Sequence, residues 1–243
     1  RRKLALLESQ DRRFAATAAD GAAIEALIAN YETAFRMQAT VPGVIDIGDE
    51  PEHVRRLYGL DSADEHQRLY ASQALRARRL VEQGVRFVEI TCPSFDGNNS
   101  PWDQHGQIVQ NHAKNALVTE RSVAALIVDL KARGLLDETI LLWAGEMGRT
   151  PHTPAVTPGC GRDHHVDGYT IFLAGGGFRG GMTYGETDDF GNSVVTDPVD
   201  IHDIHATILH QLGVDHERLT FRHGGRDHRL TDVHGRVIHA LLS

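Results

Sequence analysis

The sequence predicts an α/β fold in which helices flank a mostly parallel sheet. Segments 85–91 and 139–145 are rich in β-branched, aromatic and other apolar residues, and a long helical pattern at 108–132 separates them. A strand, a helix and a second strand in this order are typical of a parallel βαβ unit. With 243 residues, 41% of them hydrophobic, the chain can bury a substantial core.

Residues 1–83 are predicted to form a helical segment that packs on, or caps, the α/β core. The helical spacing of apolar residues is seen at Ile24, Leu27, Ile28, Tyr31 and Phe35, and again at Leu69, Leu75 and Leu80. Residues 41–43 and 49–51 should interrupt the helices, and Pro51 suits the first turn of a short helix that ends at Tyr58. Gly84 is a helix-ending residue, so we expect the α/β core to span 84–243.

The predicted sheet has three strands, the third at 169–174. Run 139–145 is almost continuously apolar, which suits a strand covered on both faces. Three strands are few for such a sheet, so we expect an incomplete one. Either a short run at 219–221 extends its edge, or further strands precede this chain. An exposed edge would favour self-association.

The charge of the chain excludes some classes of partner. The net charge is −8, which disfavours nucleic acid, because binding to phosphate backbones needs clustered Lys and Arg. No run is long and apolar enough to predict a membrane span, and no secretion signal is found in this chain. Cys92 and Cys160 are compatible with two thiols or with one disulfide.

Histidine is unusually frequent, at 15 residues, and the sequence predicts a metal site among them. Asp103 and His105 lie two residues apart in the loop after the first predicted strand, so both side chains can reach one cation. Equally, Asp103 could cap the helix that follows. Asp96 in the same loop could substitute as a ligand, whereas His112 is expected to pack.

A second candidate ligand is Glu146, which directly follows the predicted strand 139–145. A carboxylate at the end of a buried strand is costly unless it binds something. Arg149 could pair with Glu146, or it could hold an anionic oxygen with two hydrogen bonds.

A third cluster is the segment 161–165 (GRDHH), in which we favour His164 over His165 as the ligand. The glycine-rich segment 175–180 matches a dinucleotide fingerprint only formally and is interpreted as a flexible turn that could line the site. The helix predicted at 200–212 carries three histidines but lacks the glutamate of a zinc-protease motif, so it is expected to pack. Sequence motifs of serine hydrolases and P-loop proteins are absent, which leaves metal-assisted chemistry.

In order and spacing, these motifs resemble a bacterial sulfatase-like family known as domain of unknown function 1501. The resemblance rests on WDxH at 102–105, GEMGRTP at 145–151, GRDH at 161–164, AGGG at 174–177 and the helix at 203–212. It implies an alkaline-phosphatase-like fold, of which this chain would be the C-terminal, incomplete half. Asp103, His105 and His164 would then hold one metal, Glu146 would belong to a second, and Arg149 would neutralise an oxyanion.

The resemblance also implies an activity. It predicts a metal-dependent hydrolase of phosphate or sulfate esters that uses zinc, manganese or calcium and acts on a small-molecule or glycan ester. The nucleophile would belong to an N-terminal strand that precedes this chain, and the full-length protein would be periplasmic or exported. The alternative is a non-catalytic binding or assembly protein with at most a structural metal. Met147, a poor ligand for a hard cation, favours that alternative.

Overall fold

A computed structural model describes residues 2–18, 21–92 and 101–243. Within these ranges the helices are α1 (Arg2–Thr17), α2 (Gly21–Ile45), α3 (Glu52–Tyr58), α4 (Glu65–Glu82), α5 (Ile108–Ala132) and α6 (Ile201–Gln211). The strands are β1 (Leu141–Trp143), β2 (Gly148–Arg149), β3 (His164–His165), β4 (Phe172–Ala174), β5 (Glu186–Thr187), β6 (Val194–Thr196), β7 (Thr220–His223) and β8 (Arg226–Arg229).

The helices confirm the predictions made from local sequence signals. Helix α3 starts directly after Pro51 and ends at Tyr58, and Gly84 follows α4 with a positive φ of 80°. Helix α4 is preceded by the N-cap residue Asp64, whose carboxylate accepts hydrogen bonds from the amides of His66 and Gln67. One prediction was wrong: Pro42 lies inside α2 and does not end it. Since α2 is mostly exposed, water can replace the hydrogen bond that the proline lacks.

The main hydrophobic core is a three-helix cluster of α3, α4 and α5. Its buried members are Val54, Tyr58, Ala71, Ala74, Leu75, Ala125, Leu126 and Leu130. The cluster joins residues from both sides of the boundary predicted at residue 83, and that domain division stays a prediction. It also fixes the direction of α5, whose N-terminal end leads back to the loop that contains Asp103.

The predicted fold class was wrong. The strands of the described residues form four two-stranded sheets, every pair antiparallel, and the longest strands span four residues. Strands β1 and β4 lie inside two of the predicted segments, but they pair antiparallel, with Trp143 opposite Phe172. Segment 85–91 forms no strand. There is no extended parallel sheet in the described chain, so an alkaline-phosphatase-like α/β fold is excluded for it.

The error has a physical cause in the packing of helices. Ile90 of segment 85–91 packs against the helical core clusters, so its apolar character is satisfied without a partner strand. Helix α5 makes its main packing contacts with α4 and α3. Run 219–221 contributes to the hairpin β7–β8 and does not extend the sheet of β1 and β4.

Two further sequence-based questions are answered by the structure. Cys92 and Cys160 are both free thiols. Among the helices described, none combines the length and the apolar character that crossing a bilayer requires.

The glycine turn at 175–177 packs against residues 136–140 and accepts a hydrogen bond from α6, from Gln211 Nε2 to the Gly176 carbonyl at 2.8 Å.

Candidate metal centre

The centre forms where two loop segments, 102–108 and 159–164, run against each other. Backbone hydrogen bonds link them in three places: from the Gln107 amide to the Gly159 carbonyl at 2.8 Å, from Ile108 to Cys160 at 3.2 Å, and from Arg162 to the carbonyl of Gln104 at 3.1 Å. These bonds fix the register between the two segments. The positions of the candidate ligands on both segments are therefore set by the backbone.

Gly161 makes this close approach possible. A Cβ atom at this position would lie 2.0 Å from the carbonyl carbon and 2.2 Å from the carbonyl oxygen of His105. Both are backbone atoms, which cannot move aside without shifting the loop. A side chain at position 161 would therefore push His105 away from the opposite segment.

The hairpin of β2 and β3 supplies the other side of the centre. Arg149 of β2 is opposite His164 of β3, and the Thr150 amide donates to the carbonyl of Asp163 at 2.9 Å. Because side chains alternate along a strand, His164 is exposed toward the centre whereas His165 is buried on the other face. The structure thus places His164, and not His165, in position to be a ligand.

Three potential ligand atoms converge at the centre. Asp103 Oδ1 lies 3.0 Å from His105 Nε2 and 2.9 Å from His164 Nε2, and the two imidazole nitrogens are 3.2 Å apart. Three corners of a tetrahedron around zinc, with bonds of 2.0–2.1 Å, are about 3.3 Å apart. The observed triangle is only slightly smaller, so its size fits a single divalent ion.

A second carboxylate orients one of the imidazoles. His105 Nδ1 lies 3.1 Å from Asp163 Oδ1, so a proton on Nδ1 can be donated to Asp163. That tautomer leaves the lone pair of Nε2 free and directed toward Asp103 and His164. A histidine held by a carboxylate behind it is the usual arrangement of a metal-ligating histidine.

Arg149 places a positive charge beside the triangle. Its Nη2 donates to Asp103 Oδ1 at 2.7 Å and to the carbonyl of Trp102 at 3.1 Å. The hydrogen bonds from His164 and from Arg149 hold the pKa of Asp103 at about 2, below the ordinary value of 3.8. Asp103 is therefore ionised at neutral pH and available to a cation.

The remaining predicted residues lie elsewhere. Glu146 is exposed in the bend after β1 and does not join the triangle, so the cost of burial gives no reason for it to bind metal. Asp103 does not cap α5, whose N-cap position is Gln107. His112 packs edge-on against Trp102, with ring centroids 5.3 Å apart. Asp96 lies outside the described residues.

Sequence reasoning missed two residues that shape the centre. Asp163 was noted only as part of a cluster, although its position next to His164 could have suggested that it supports a ligand. Gly161 had no detectable signal, because its role depends on a segment more than fifty residues away. The triangle of Asp103, His105 and His164 is the one potential metal-binding group found in the residues that the structure describes.

A family model described as protein of unknown function (DUF1501) matches residues 1–242 of this chain. The resemblance seen in the motifs is thereby confirmed for the family itself. Comparison with curated proteins and with solved structures gives no match.

Proposed function

The chain belongs to the DUF1501 family, and we propose that it is a metal-dependent hydrolase of phosphate or sulfate esters centred on Asp103, His105 and His164. The observation that supports this most directly is the convergence of one carboxylate oxygen and two imidazole nitrogens within 3.2 Å.

The donor set favours zinc or manganese over calcium. Calcium takes six to eight oxygen ligands, whereas two imidazole nitrogens and one carboxylate oxygen suit zinc, and manganese accepts the same donors. Without a cation, Asp103 Oδ1 has three nitrogens within 3.0 Å, from His105, His164 and Arg149. A divalent cation at the centre would bind this carboxylate oxygen and the two Nε2 lone pairs together.

The centre is open to solvent on one side. The side chains of Asp103, His105 and His164 are 43%, 48% and 48% exposed. Structural zinc sites are usually closed by four protein ligands, whereas catalytic sites have three and leave a position for water or substrate. A bound divalent ion would lower the pKa of a water molecule and offset negative charge on an ester oxygen.

Arg149 is the residue suited to binding the anionic group of the substrate. Its side chain is 19% exposed, and its guanidinium is already held by Asp103 and by the carbonyls of Trp102 and Arg162. It is therefore positioned before substrate binds, and its remaining N–H groups can donate to a phosphate or sulfate oxygen. Asp163 keeps His105 in the tautomer that binds metal, so it acts as a positioning residue.

The first experiment is metal analysis of protein purified without a His tag and then supplied with zinc or manganese. We expect one metal per chain, and less than a tenth of that in His164→Ala and Asp103→Ala. His223→Ala, on the exposed hairpin β7–β8, is the matched control and should retain full metal content. Equal metal content in all four proteins would refute the centre.

Hydrolysis is tested next with 4-nitrophenyl phosphate and 4-nitrophenyl sulfate on the metal-loaded protein. Turnover of either ester that is lost in His164→Ala, and that shows a raised KM in Arg149→Met, would support the proposal. Stoichiometric metal without turnover of either ester would refute the hydrolase function while leaving the metal centre intact.

A second candidate function is binding or assembly, with a metal that only stabilises the loops. The observation in its favour is the apolar surface of helices α1 and α2, where Phe14, Tyr31 and Phe35 are 64%, 70% and 60% exposed. Exposed apolar surface of this kind is typical of protein interaction sites. Metal binding that raises the melting temperature, without hydrolysis of either ester, would favour this candidate.

A further inference from the structure

An apolar cavity of about 390 Å³ lies between helix α5 and the strands β1 and β4. Its apolar walls are formed by Trp102, Val123, Ile127, Trp143 and Phe172. Small-molecule sites commonly have volumes of roughly 300–1,000 Å³ and aromatic walls, so this cavity has the size and lining of a ligand site. The depression along α2 is different, because residues of that helix alone line it.

The aromatic side chains of the cavity are held in an open arrangement. Trp102 and Trp143 meet edge to face, with ring centroids 6.0 Å apart and planes at 84°. Trp143 is 40% exposed and Phe172, its partner across the two strands, is 43% exposed. Large aromatic rings left partly uncovered by the protein can bury further apolar surface against a flat ligand.

The polar residues of the cavity disfavour a sugar or a second anionic group. The Thr119 hydroxyl donates to the backbone of its own helix, at the Asn115 carbonyl, 3.1 Å away. The His112 ring packs on Trp102, and Glu120 adds a negative charge at the wall. Few polar groups of the cavity are therefore left to replace the hydrogen bonds that a glycan makes with water, and a polyanion would be repelled by Glu120.

Trp102 connects this cavity to the metal centre. Its ring lines the cavity, its carbonyl accepts a hydrogen bond from Arg149 Nη2 at 3.1 Å, and the next residue along the chain is the ligand Asp103. Trp102 therefore contacts the cationic Arg149 through its backbone carbonyl and the apolar cavity through its side chain. The charges match a ligand with an anionic head and an apolar body.

We propose that the cavity binds the aromatic or similarly flat apolar body of an anionic ligand whose head group contacts Arg149. This inference rests on the proposed function for the chemistry of the head group, and it narrows the substrate class from esters in general to aryl phosphates or sulfates. The apolar part of the ligand is recognised by Trp102, Trp143 and Phe172, independently of any metal.

The chain offers a direct signal for this site, because it contains two tryptophans and both line the cavity. Tryptophan fluorescence is measured in excess chelator while 2-naphthol, 2-naphthyl phosphate or inorganic phosphate is added, and calorimetry confirms each affinity. We expect saturable binding of both naphthyl probes, with the phosphate ester binding more tightly than the neutral alcohol. Arg149→Met should remove the difference between the two.

A matched pair of variants tests the location. Ala124 lines the cavity, whereas Ala113 is exposed on the same helix outside it. Filling the cavity in Ala124→Leu should weaken 2-naphthol binding by about tenfold, a change equivalent to ~1.4 kcal/mol. Ala113→Leu should leave the affinity unchanged.

The outcomes separate this inference from the metal centre. Saturable binding of 2-naphthol in chelator, lost in Ala124→Leu only, supports the cavity even if metal analysis fails. No saturable binding of 2-naphthol, equal losses in Ala124→Leu and Ala113→Leu, or equal affinities of the two naphthyl probes for the unmodified protein would overturn the proposal. None of these outcomes depends on hydrolysis.

Discussion

Arg78 is buried at the centre of a charged network, and its replacement by methionine should destabilise the protein by about 3 kcal/mol. The residue is 2% exposed, and Glu50 and Asp129 are 8% and 6% exposed. Its Nη1 donates to Glu82 Oε2 at 2.5 Å. Its Nη2 and Nε lie at ion-pair distance, 2.7 Å and 3.1 Å, from Glu50 and Asp129, although their N–H directions do not meet hydrogen-bond geometry.

The magnitude follows from what Arg78→Met would leave behind. Removal of one partner of a buried ion pair costs roughly 3–5 kcal/mol, because the remaining charge is left uncompensated. All three carboxylates retain other partners: Arg79 lies 2.5 Å from Glu50, and Arg133 lies 2.7 Å from both Asp129 and Glu82. These contacts place the expected loss near the lower end of the range.

The assay is urea unfolding followed by far-ultraviolet circular dichroism, which reports on the helices. Arg56→Met is the control, because its pair with Glu52 is exposed and should contribute less than about 1 kcal/mol. A loss in Arg78→Met that is below 1 kcal/mol, or equal to that in the control, would refute the reasoning. It would mean that solvent screens the network.

Three further predictions concern the site and the core. Gly161→Ala should reduce metal content to below half of the wild-type value in metal analysis, because its Cβ would overlap the His105 backbone; unchanged content would contradict that reason. Asp163→Asn should weaken zinc affinity by about 10- to 100-fold in a competition titration, as found when the partner of a ligating histidine is lost, and an unchanged affinity would exclude its orienting role. Burial raises the pKa of Tyr70 to about 12, above the unfolded value of 10.0, so its contribution to stability is complete below pH 10 and is lost as the pH rises toward 12. Urea unfolding at pH 9 and 11.5 should therefore show a smaller loss of stability in Tyr70→Phe than in the wild type, whereas equal losses would rule out this cause.

Local signals predicted the helices well. The period of the apolar residues and the proline and glycine at the ends predicted α5 at 108–132 and the end of α3 at Tyr58. These features act within one or two turns of the same helix, so they are readable along the chain. Pro42 is the exception, since an exposed helix can tolerate a missing hydrogen bond.

The strands show the limit of the same method. Segment 85–91 has strong β propensity but no partner strand, and β1 and β4 pair antiparallel where a parallel pair was expected. Propensity for extended structure is local, whereas strand direction and pairing depend on which distant segments meet. The packing of α5 on α3 and α4 decided this, and it cannot be derived from the composition of the strands.

The sequence by itself determined the helices, the acidic net charge and the identity of the candidate ligands Asp103, His105 and His164. Tertiary structure decided which of these groups meet: it set Glu146 apart, paired Arg149 with Asp103 and placed Asp163 behind His105. The physical reason is distance along the chain. Helices and their ends are determined by residues that are close in sequence. The centre instead requires segments 102–108 and 159–164 to meet, and their close contact is possible only with a glycine at position 161.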